Sequence, residues 1–78
     1  MSSAATATRT RDFFVECGWT ISSVTDAGNL VVHCVVDSEI RLMVTTYSGV
    51  IITEARFDDN RFGRALLAAG IEAAEAIR

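Results

Sequence analysis

Three sets of residues in this chain have types and spacings that could do chemistry. The first is the adjacent pair His33 and Cys34, because an imidazole beside a thiol is the usual arrangement of a base and its nucleophile. Neighbouring residues on a strand point to opposite faces, so this imidazole does not reach the neighbouring thiol. Cys17 could approach His33 from the first helix, but no third group is evident to orient the base. We therefore interpret His33 as a core histidine with one hydrogen bond.

The second set is the group of carboxylates Glu54, Asp58 and Asp59. Metal binding or acid–base catalysis would require these groups to converge, whereas capping of the helix that follows explains Asp58 and Asp59 without a ligand. One histidine and two separate cysteines fall short of a structural zinc set, and neither GxGxxG nor a phosphate loop occurs. We therefore predict no catalytic residue, no metal and no cofactor, and a protein that is not an enzyme.

The third set consists of two arginines, Arg41 and Arg56, on neighbouring predicted strands. The predicted register places them directly opposite each other, where like charges destabilise the pair unless Glu54, a partner's carboxylate or an anion lies between them. Met43 and Tyr47 share their face of the sheet. This is the best candidate contact patch in the sequence.

The chain of 78 residues predicts one domain over residues 10–78, after a disordered leader over residues 1–9. A domain of this size has little stability to spare, and no disulfide framework or metal site supports it. Half of the residues are hydrophobic. A single monomer core cannot bury so much apolar surface, so we expect association with a partner.

The charge balance is acidic. Seven arginines and no lysine stand against ten acidic residues, which gives a net charge of −3. This balance disfavours general binding to a phosphate backbone. The alternative of a dimeric nucleic-acid-binding protein stays open, and it would use an arginine patch of Arg9, Arg11, Arg41, Arg56, Arg61 and Arg64.

The N-terminal segment MSSAATATRTR, residues 1–11, predicts no targeting signal. It is too short for a transit peptide and has no apolar core for secretion, and no segment of the chain is long enough to span a membrane. We expect a cytoplasmic protein with no membrane partner and with both thiols reduced.

The element pattern predicts an α+β fold, a four-stranded antiparallel meander with a short N-terminal helix and a longer C-terminal helix packed on one face. The predicted helices cover residues 10–17 and 61–78, and the predicted strands cover residues 19–25, 30–37, 40–47 and 50–57. Gly18 should end the first helix. We expect a three-residue loop at Gly28 and two-residue turns at Ser38 and Glu39 and at Ser48 and Gly49.

This register assigns every strand residue to a face. The core face, on which both helices should pack, carries Trp19, Ile21, Val31, His33, Val35, Ile40, Leu42, Val44, Thr46, Ile51, Thr53, Ala55 and Phe57. The second face carries Leu30, Val32, Cys34, Val36, Arg41, Met43, Thr45, Tyr47, Val50, Ile52, Glu54 and Arg56. A solvated face would not be so apolar, so we expect a second polypeptide to cover it. The candidate interface residues are Val32, Cys34, Arg41, Met43, Tyr47, Ile52 and Arg56.

These features favour a small non-catalytic protein–protein interaction module of the regulator, adaptor or inhibitor type. It should act as a homodimer through the second face and bind another protein through a sheet face or an exposed edge strand. A third possibility is a small-ligand binder or enzyme subunit with its cleft at the dimer seam.

Overall fold

A computed structural model of the protein describes the backbone of residues 3–76 and the side chains of residues 10–76. The elements in chain order are α1 (Ser3–Glu16), β1 (Thr20–Val24), β2 (Leu30–Val36), β3 (Glu39–Thr45), β4 (Ile51–Asp58) and α2 (Arg61–Glu75). The strands form an antiparallel sheet in the order β1-β2-β3-β4. The predicted α+β fold, a four-stranded antiparallel meander with one helix before it and one after it, is confirmed.

The two helices differ from the prediction in their bounds. α1 begins at Ser3, seven residues before the predicted start. The disorder predicted for residues 1–9 stays a prediction, and residues 1–2 lie outside the described part of the chain. α2 ends at Glu75 with Ala76 as its C-cap, and residues 77–78, which were predicted to continue it, also lie outside the described part.

The turn between β2 and β3 consists of Asp37 and Ser38, which both have positive φ, at 52° and 64°. Positive φ at both central residues is typical of a type I′ hairpin turn, which Val36 and Glu39 close as opposed residues. The predicted turn at Ser38 and Glu39 is therefore wrong by one residue. The error moves the register by two residues, and a shift of two leaves every side chain on its predicted face.

The loop between β1 and β2 has three residues, as predicted. It ends with Gly28, which has a φ of 83°. The backbone N–H of Thr25 donates to the carbonyl of Asn29 at 2.9 Å, which closes the loop. The Thr25 hydroxyl accepts a hydrogen bond from the N–H of Asn29 at 3.0 Å.

The loop between β3 and β4 repeats this design. The N–H of Thr46 donates to the carbonyl of Val50 at 2.9 Å, and the Thr46 hydroxyl accepts from the N–H of Val50 at 3.1 Å. The loop has three residues and ends at Gly49, so the predicted two-residue turn is wrong. An irregularity between Val44 and Thr45 restores the predicted register, and Ile40 faces Phe57 as expected.

A β-bulge in β1 reverses the predicted faces of its first residues. Ser23 lies opposite Val31, but Ile21 lies opposite Val32, so Ser22 is the extra residue. A one-residue shift moves the following side chains to the other face. Ile21, and Trp19 before it, therefore lie on the second face and not on the core face that the sequence predicted.

The two helices pack on opposite faces of the sheet. On one face, Phe14 of α1 forms a buried cluster with residues of β2 and β3, namely Leu30, Val32 and Met43, and Trp19, Ile21 and Tyr47 pack around it. On the other face, Ala74 of α2 forms a second cluster with Val31, Leu42 and Val44, and Ala55, Phe57, Leu67 and Ile71 pack around that one. The prediction that both helices share one face is wrong for α1.

The end of α1 explains how this helix reaches the second face. Gly18 has a φ of 89°, and the N–H of Trp19 donates to the carbonyl of Phe14 at 2.9 Å. These are the features of a Schellman motif, in which an apolar residue after the glycine packs back on the last turn. The rings of Phe14 and Trp19 meet edge to face with centroids 6.1 Å apart. The reversal therefore folds α1 back over the face that carries Trp19.

The start of α2 is set by Asn60, whose side chain accepts a hydrogen bond from the N–H of Gly63 at 2.7 Å. Satisfying one of the free N–H groups of the first turn is the usual role of an N-cap asparagine. A Cβ at residue 63 would lie 1.7 Å from the carbonyl oxygen of Asp58, so only glycine fits there. This close approach positions α2 directly against the end of β4.

Candidate protein-interaction surface

The surface predicted for a dimer lies on the second face, and α1 covers its middle. Val32 is fully buried and Met43 is 8% exposed, because both belong to the cluster around Phe14. Tyr47 is half-buried, and its backbone carbonyl accepts a hydrogen bond from the hydroxyl of Thr10. The covering expected from a second polypeptide is supplied at these three positions by the chain's own first helix.

The other four predicted interface residues stay accessible beyond the reach of α1. Cys34 is half-buried, Ile52 is 44% exposed, and the side chains of Arg41 and Arg56 are 41% and 56% exposed. The predicted interface is therefore divided into a part covered by α1 and a part still open to solvent.

The two arginines lie directly opposite each other, as predicted, and two carboxylates separate their charges. Glu39 Oε1 lies 3.2 Å from Arg41 Nε and 4.0 Å from Arg56 Nε. Glu54 Oε1 lies 3.1 Å from Arg56 Nε. We call these four residues the ion-pair cluster. Its formal charges cancel, so it does not form a basic patch.

The ion-pair cluster contributes little to stability, because each of its side chains is more than a third exposed. Exposed pairs of this kind contribute about 0–1 kcal/mol each. The main effect of these ion pairs is to cancel charge. Arginines on adjacent strands are tolerated opposite each other because Glu39 and Glu54 neutralise them.

The residues around His33 are not arranged for nucleophilic catalysis. A hydrogen bond links Nδ1 of His33 to Oγ of Ser22 in the bulge, and Cys34 lies on the other face of the strand. Burial raises the pKa of the Cys34 thiol, while the positive charge of Arg41 acts in the opposite direction. A thiol with a raised pKa is protonated near neutral pH and is a weak nucleophile. Cys17 is exposed and unpaired.

The predicted carboxylate group is dispersed. The sequence predicts the run Asp58, Asp59 and Asn60 as the cap of α2, and within that run the capping side chain is that of Asn60. Asp59 Oδ1 lies 3.1 Å from Arg64 Nη1 in an exposed ion pair, and Glu54 belongs to the ion-pair cluster. Over residues 10–76, no three His, Cys, Asp or Glu side chains lie close enough together to hold a metal ion.

The edge of the sheet formed by β4 is open. In the described part of the chain no strand lies beyond β4, so one side of its backbone has no sheet neighbour. Ile51 is 53% exposed and Ile52 is 44% exposed. The strand is eight residues long and contains neither proline nor lysine, two residues that commonly protect sheet edges. The opposite edge, β1, has five residues and a bulge.

The side of α2 that lies over β4 is apolar and exposed. Phe62 is 73% exposed and Leu66 is 39% exposed. Ala69 and Ala73 follow at helical spacing and are also exposed. The charged residues of this helix, Arg61, Arg64, Glu72 and Glu75, fall on the side turned away from β4. The apolar arc of α2 therefore extends past the sheet face that it covers and reaches the open edge.

A groove runs between β4 and α2 in two parts that share Phe57. The part beside the middle of β4 has a volume of about 380 Å³ and a mostly apolar lining that includes Ala55 and Ala73. The part beside the start of α2 has a volume of about 290 Å³. We define the edge surface as the free edge of β4 together with the exposed α2 side chains beside it, Phe62, Leu66, Ala69 and Ala73.

Contact through an exposed edge strand was predicted from the sequence, but it was not assigned to β4 and α2, although two signals for these elements were present. The apolar arc of the last helix is wider than one sheet face needs. The last strand of a meander is an edge unless something covers it, and this strand has neither proline nor lysine to protect it. Both signals concern the end of the chain, whereas the predicted interface was centred on the middle strands.

Comparisons with known proteins do not identify the role of this surface. No helix in the described residues is both long and apolar enough to cross a membrane. No protein-family model, no curated protein and no solved structure matches this chain.

Proposed function

We propose that this protein is a small non-catalytic protein–protein interaction module, of the regulator, adaptor or inhibitor type, which contacts its partner through the edge surface. The observation that carries the proposal is the combination of an unpaired strand edge and an exposed apolar helix flank on either side of one groove. The cytoplasm, with both thiols reduced, stays the proposed location.

The edge surface offers the two components of strand-addition recognition. An added strand gains affinity from main-chain hydrogen bonds along the free edge, and pockets for its alternate side chains give specificity. Here the groove beside Phe57 would receive the side chains that point towards α2. A partner that used both would also cover Phe62, which is 73% exposed, and Leu66, which is 39% exposed.

The chemistry of the polar residues supports a binding role over a catalytic one. His33 is engaged by Ser22, and the Cys34 thiol has a raised pKa on the opposite face. Asp59 and Glu54 are each paired with an arginine. Catalysis requires a nucleophile or base with a free partner at a shared point, and these groups do not converge on one.

Three of the five arginines with described side chains are paired in a way that does not favour the nucleic-acid alternative, whereas Arg11 and Arg61 are exposed. Arg41, Arg56 and Arg64 each have a carboxylate oxygen within 3.2 Å. A carboxylate at that distance competes with phosphate for the same guanidinium, and the net charge of −3 opposes approach to a polyanion. The side chain of Arg9 lies outside the described residues.

Site-specific photo-crosslinking in the cells that produce the protein tests the proposal. A photoreactive phenylalanine analogue would replace Thr53, an exposed residue of β4 that lines the groove. The matched control places the same analogue at Thr20, an exposed threonine of β1 at the opposite sheet edge. We expect a covalent adduct with another polypeptide from the Thr53 position and little or none from the Thr20 position.

Two outcomes would contradict the proposal. One is the absence of any polypeptide adduct from the Thr53 position when the analogue is incorporated and the protein is folded. The other is an equal yield of adducts from both positions, which would indicate random collision. The mass of the adduct also identifies the partner as a second copy of the chain or as a different protein.

A further inference from the structure

We propose that the partner at the edge surface is a second copy of this chain, joined by antiparallel pairing of the two β4 strands about a twofold axis at Ala55. The inference rests on the proposed function, because it uses the same surface and names its occupant. It replaces the dimer through the second face, which α1 partly covers.

The backbone groups that would make this pairing follow from the turn between β2 and β3. Val36 and Glu39 close a two-residue turn and so form a hydrogen-bonded pair. In antiparallel strands such pairs alternate with pairs that are not hydrogen-bonded. Every second residue of β3 therefore bonds to β4 and not to β2, and these residues lie opposite Thr53, Ala55 and Phe57. The N–H and C=O groups of Glu54 and Arg56 consequently point away from the sheet along its free edge.

The charges on these outward-bonding residues select the register. A twofold axis perpendicular to the sheet pairs residues of the same face, so one residue of β4 must lie opposite its own copy. With Glu54 or Arg56 at the axis, like charges face each other. With Ala55 at the axis, Glu54 faces the partner's Arg56 and Arg56 faces the partner's Glu54. This register makes two opposite-charge pairs and overlaps residues 52–58 of both strands. An axis at Phe57 would also pair Arg56 with the partner's Asp58, but it would overlap only residues 56–58.

The same axis brings the two copies of α2 together. It keeps both helices on one face of the extended sheet and runs them antiparallel beside each other. The exposed stripe of α2 begins with the large side chains of Phe62 and Leu66 and ends with the small ones of Ala69 and Ala73. Antiparallel helices therefore place large side chains of one copy against small ones of the other, which favours close packing.

The opposite edge of the sheet explains why assembly would stop at two copies. β1 has only five residues, and the bulge at Ser22 interrupts its pairing. Short and bulged strands are poor templates for further pairing. An interface that uses the same patch on both copies is closed by its own symmetry, so it gives a dimer and not a filament.

The strand edge and the α2 side chains together offer a dimer more surface to bury than the strand edge alone. Stable interfaces bury roughly 1,200–2,000 Å² in total, and the edge of one strand supplies only part of that. The α2 stripe and the groove beside Phe57 add apolar area next to the strand. Strand and helix together provide a polar edge that sets the register and an apolar flank that supplies affinity.

Two charge-reversal variants of the full chain, studied by sedimentation equilibrium at low micromolar concentration, test the inference. We expect wild type to be a dimer. Arg56→Glu places Glu54 opposite an introduced glutamate, and Glu54→Arg places Arg56 opposite an introduced arginine, so each variant alone should dimerise about tenfold more weakly or worse. Mixed in equal amounts, the two variants should form a heterodimer, because every facing pair is then of opposite charge.

A matched control is Arg41→Glu, which reverses a charge of the same ion-pair cluster on β3, away from the edge. It should leave the dimer intact, and circular dichroism would verify that all variants are folded. A wild-type dimer that neither charge variant weakens, or variants that fail to recover association on mixing, would overturn the Ala55 register.

A monomeric wild type would overturn the inference as a whole. The proposed function would survive that result if crosslinking from the Thr53 position yielded an adduct with a different protein. It would fail separately if that position gave no adduct, so the two experiments distinguish failure of the partner from failure of the surface.

Discussion

Ser38 occupies a backbone conformation that serine adopts at a cost. Its φ of 64° lies in the left-handed region, and it forms the β2–β3 turn together with Asp37 at 52°. This conformation destabilises residues that have a Cβ by roughly 1 kcal/mol or more relative to glycine. The preferred sequences for this turn are Asn-Gly and Asp-Gly, and the chain has serine at the second position.

Ser38→Gly should therefore stabilise the fold by about 0.5–1 kcal/mol, because it removes strain and keeps the backbone bond from Asp59 N–H to the residue 38 carbonyl. Urea denaturation followed by Trp19 fluorescence measures the change. The control is Ser48→Gly in the next hairpin loop, where φ is not positive and the Ser48 hydroxyl is hydrogen-bonded to Thr46 at 2.9 Å. Equal gains from both variants, or a loss at Ser38, would contradict this explanation.

The position of this turn shows what residue types can and cannot predict. The turn was predicted one residue too late, because neither of its two central residues is the asparagine or glycine that usually marks this turn type. The faces of β2 and β3 were still predicted correctly, since a shift of two in the register conserves side-chain direction. For that reason the opposition of Arg41 and Arg56, and the need for a carboxylate between them, could be predicted from the sequence.

At the scale of elements, the side on which α1 packs could not be predicted. It depends on a single extra residue, Ser22, in a run of two serines that carries no signal for a bulge. Without the bulge, Trp19 and Ile21 would lie on the face that α2 covers, and the first helix would be expected there as well. The Schellman end at Gly18 was predictable, because a glycine directly after an apolar helical segment is its usual signal.

The packing of α1 predicts unequal roles for two adjacent phenylalanines. Phe14 is 6% exposed within the cluster on the second face, whereas Phe13 is 60% exposed. Phe14→Ala should lower the free energy of unfolding by about 3–5 kcal/mol, the usual cost of removing a buried aromatic ring. Phe13→Ala should change it by less than about 1 kcal/mol. Thermal or urea unfolding with Trp19 emission as the signal measures both.

The opposite ranking would show that the second face is covered in some other way. Equal and small losses would show that α1 does not hold the sheet. Because Trp19 contacts Phe14, its emission in the folded state should also change in Phe14→Ala and stay nearly constant in Phe13→Ala.

At the scale of the whole molecule, the excess of apolar residues predicted covering by a second polypeptide, and in the structure the chain's own first helix covers part of the face concerned. α1 covers the middle of the second face and α2 covers the core face. Part of the apolar surface that stays exposed lies beside the last strand, at Val50, Ile51, Ile52, Phe62 and Leu66, and the rest lies at Phe13, Val15, Val24, Val35 and Val36. Composition predicts how much surface is left over, whereas the arrangement of the helices decides where it lies.

This arrangement links the fold to the proposed role. Each helix completes one face of the sheet, and α2 extends far enough to leave an apolar flank over the open edge. A partner that adds to β4 would gain backbone hydrogen bonds and apolar burial in one step. Two members of the ion-pair cluster, Glu54 and Arg56, lie on the same strand and can exchange their exposed pairing for pairing across an interface.

The measurement that tests the central claim most directly is amide hydrogen exchange along β4 at two protein concentrations. Thr53, Ala55 and Phe57 should be protected at both, because their amides bond to β3. The amides of Glu54 and Arg56 should be protected at high concentration and exchange fast on dilution, because only a second β4 strand covers them. Fast exchange of these two amides at every concentration, in a chain that stays folded, would contradict the account.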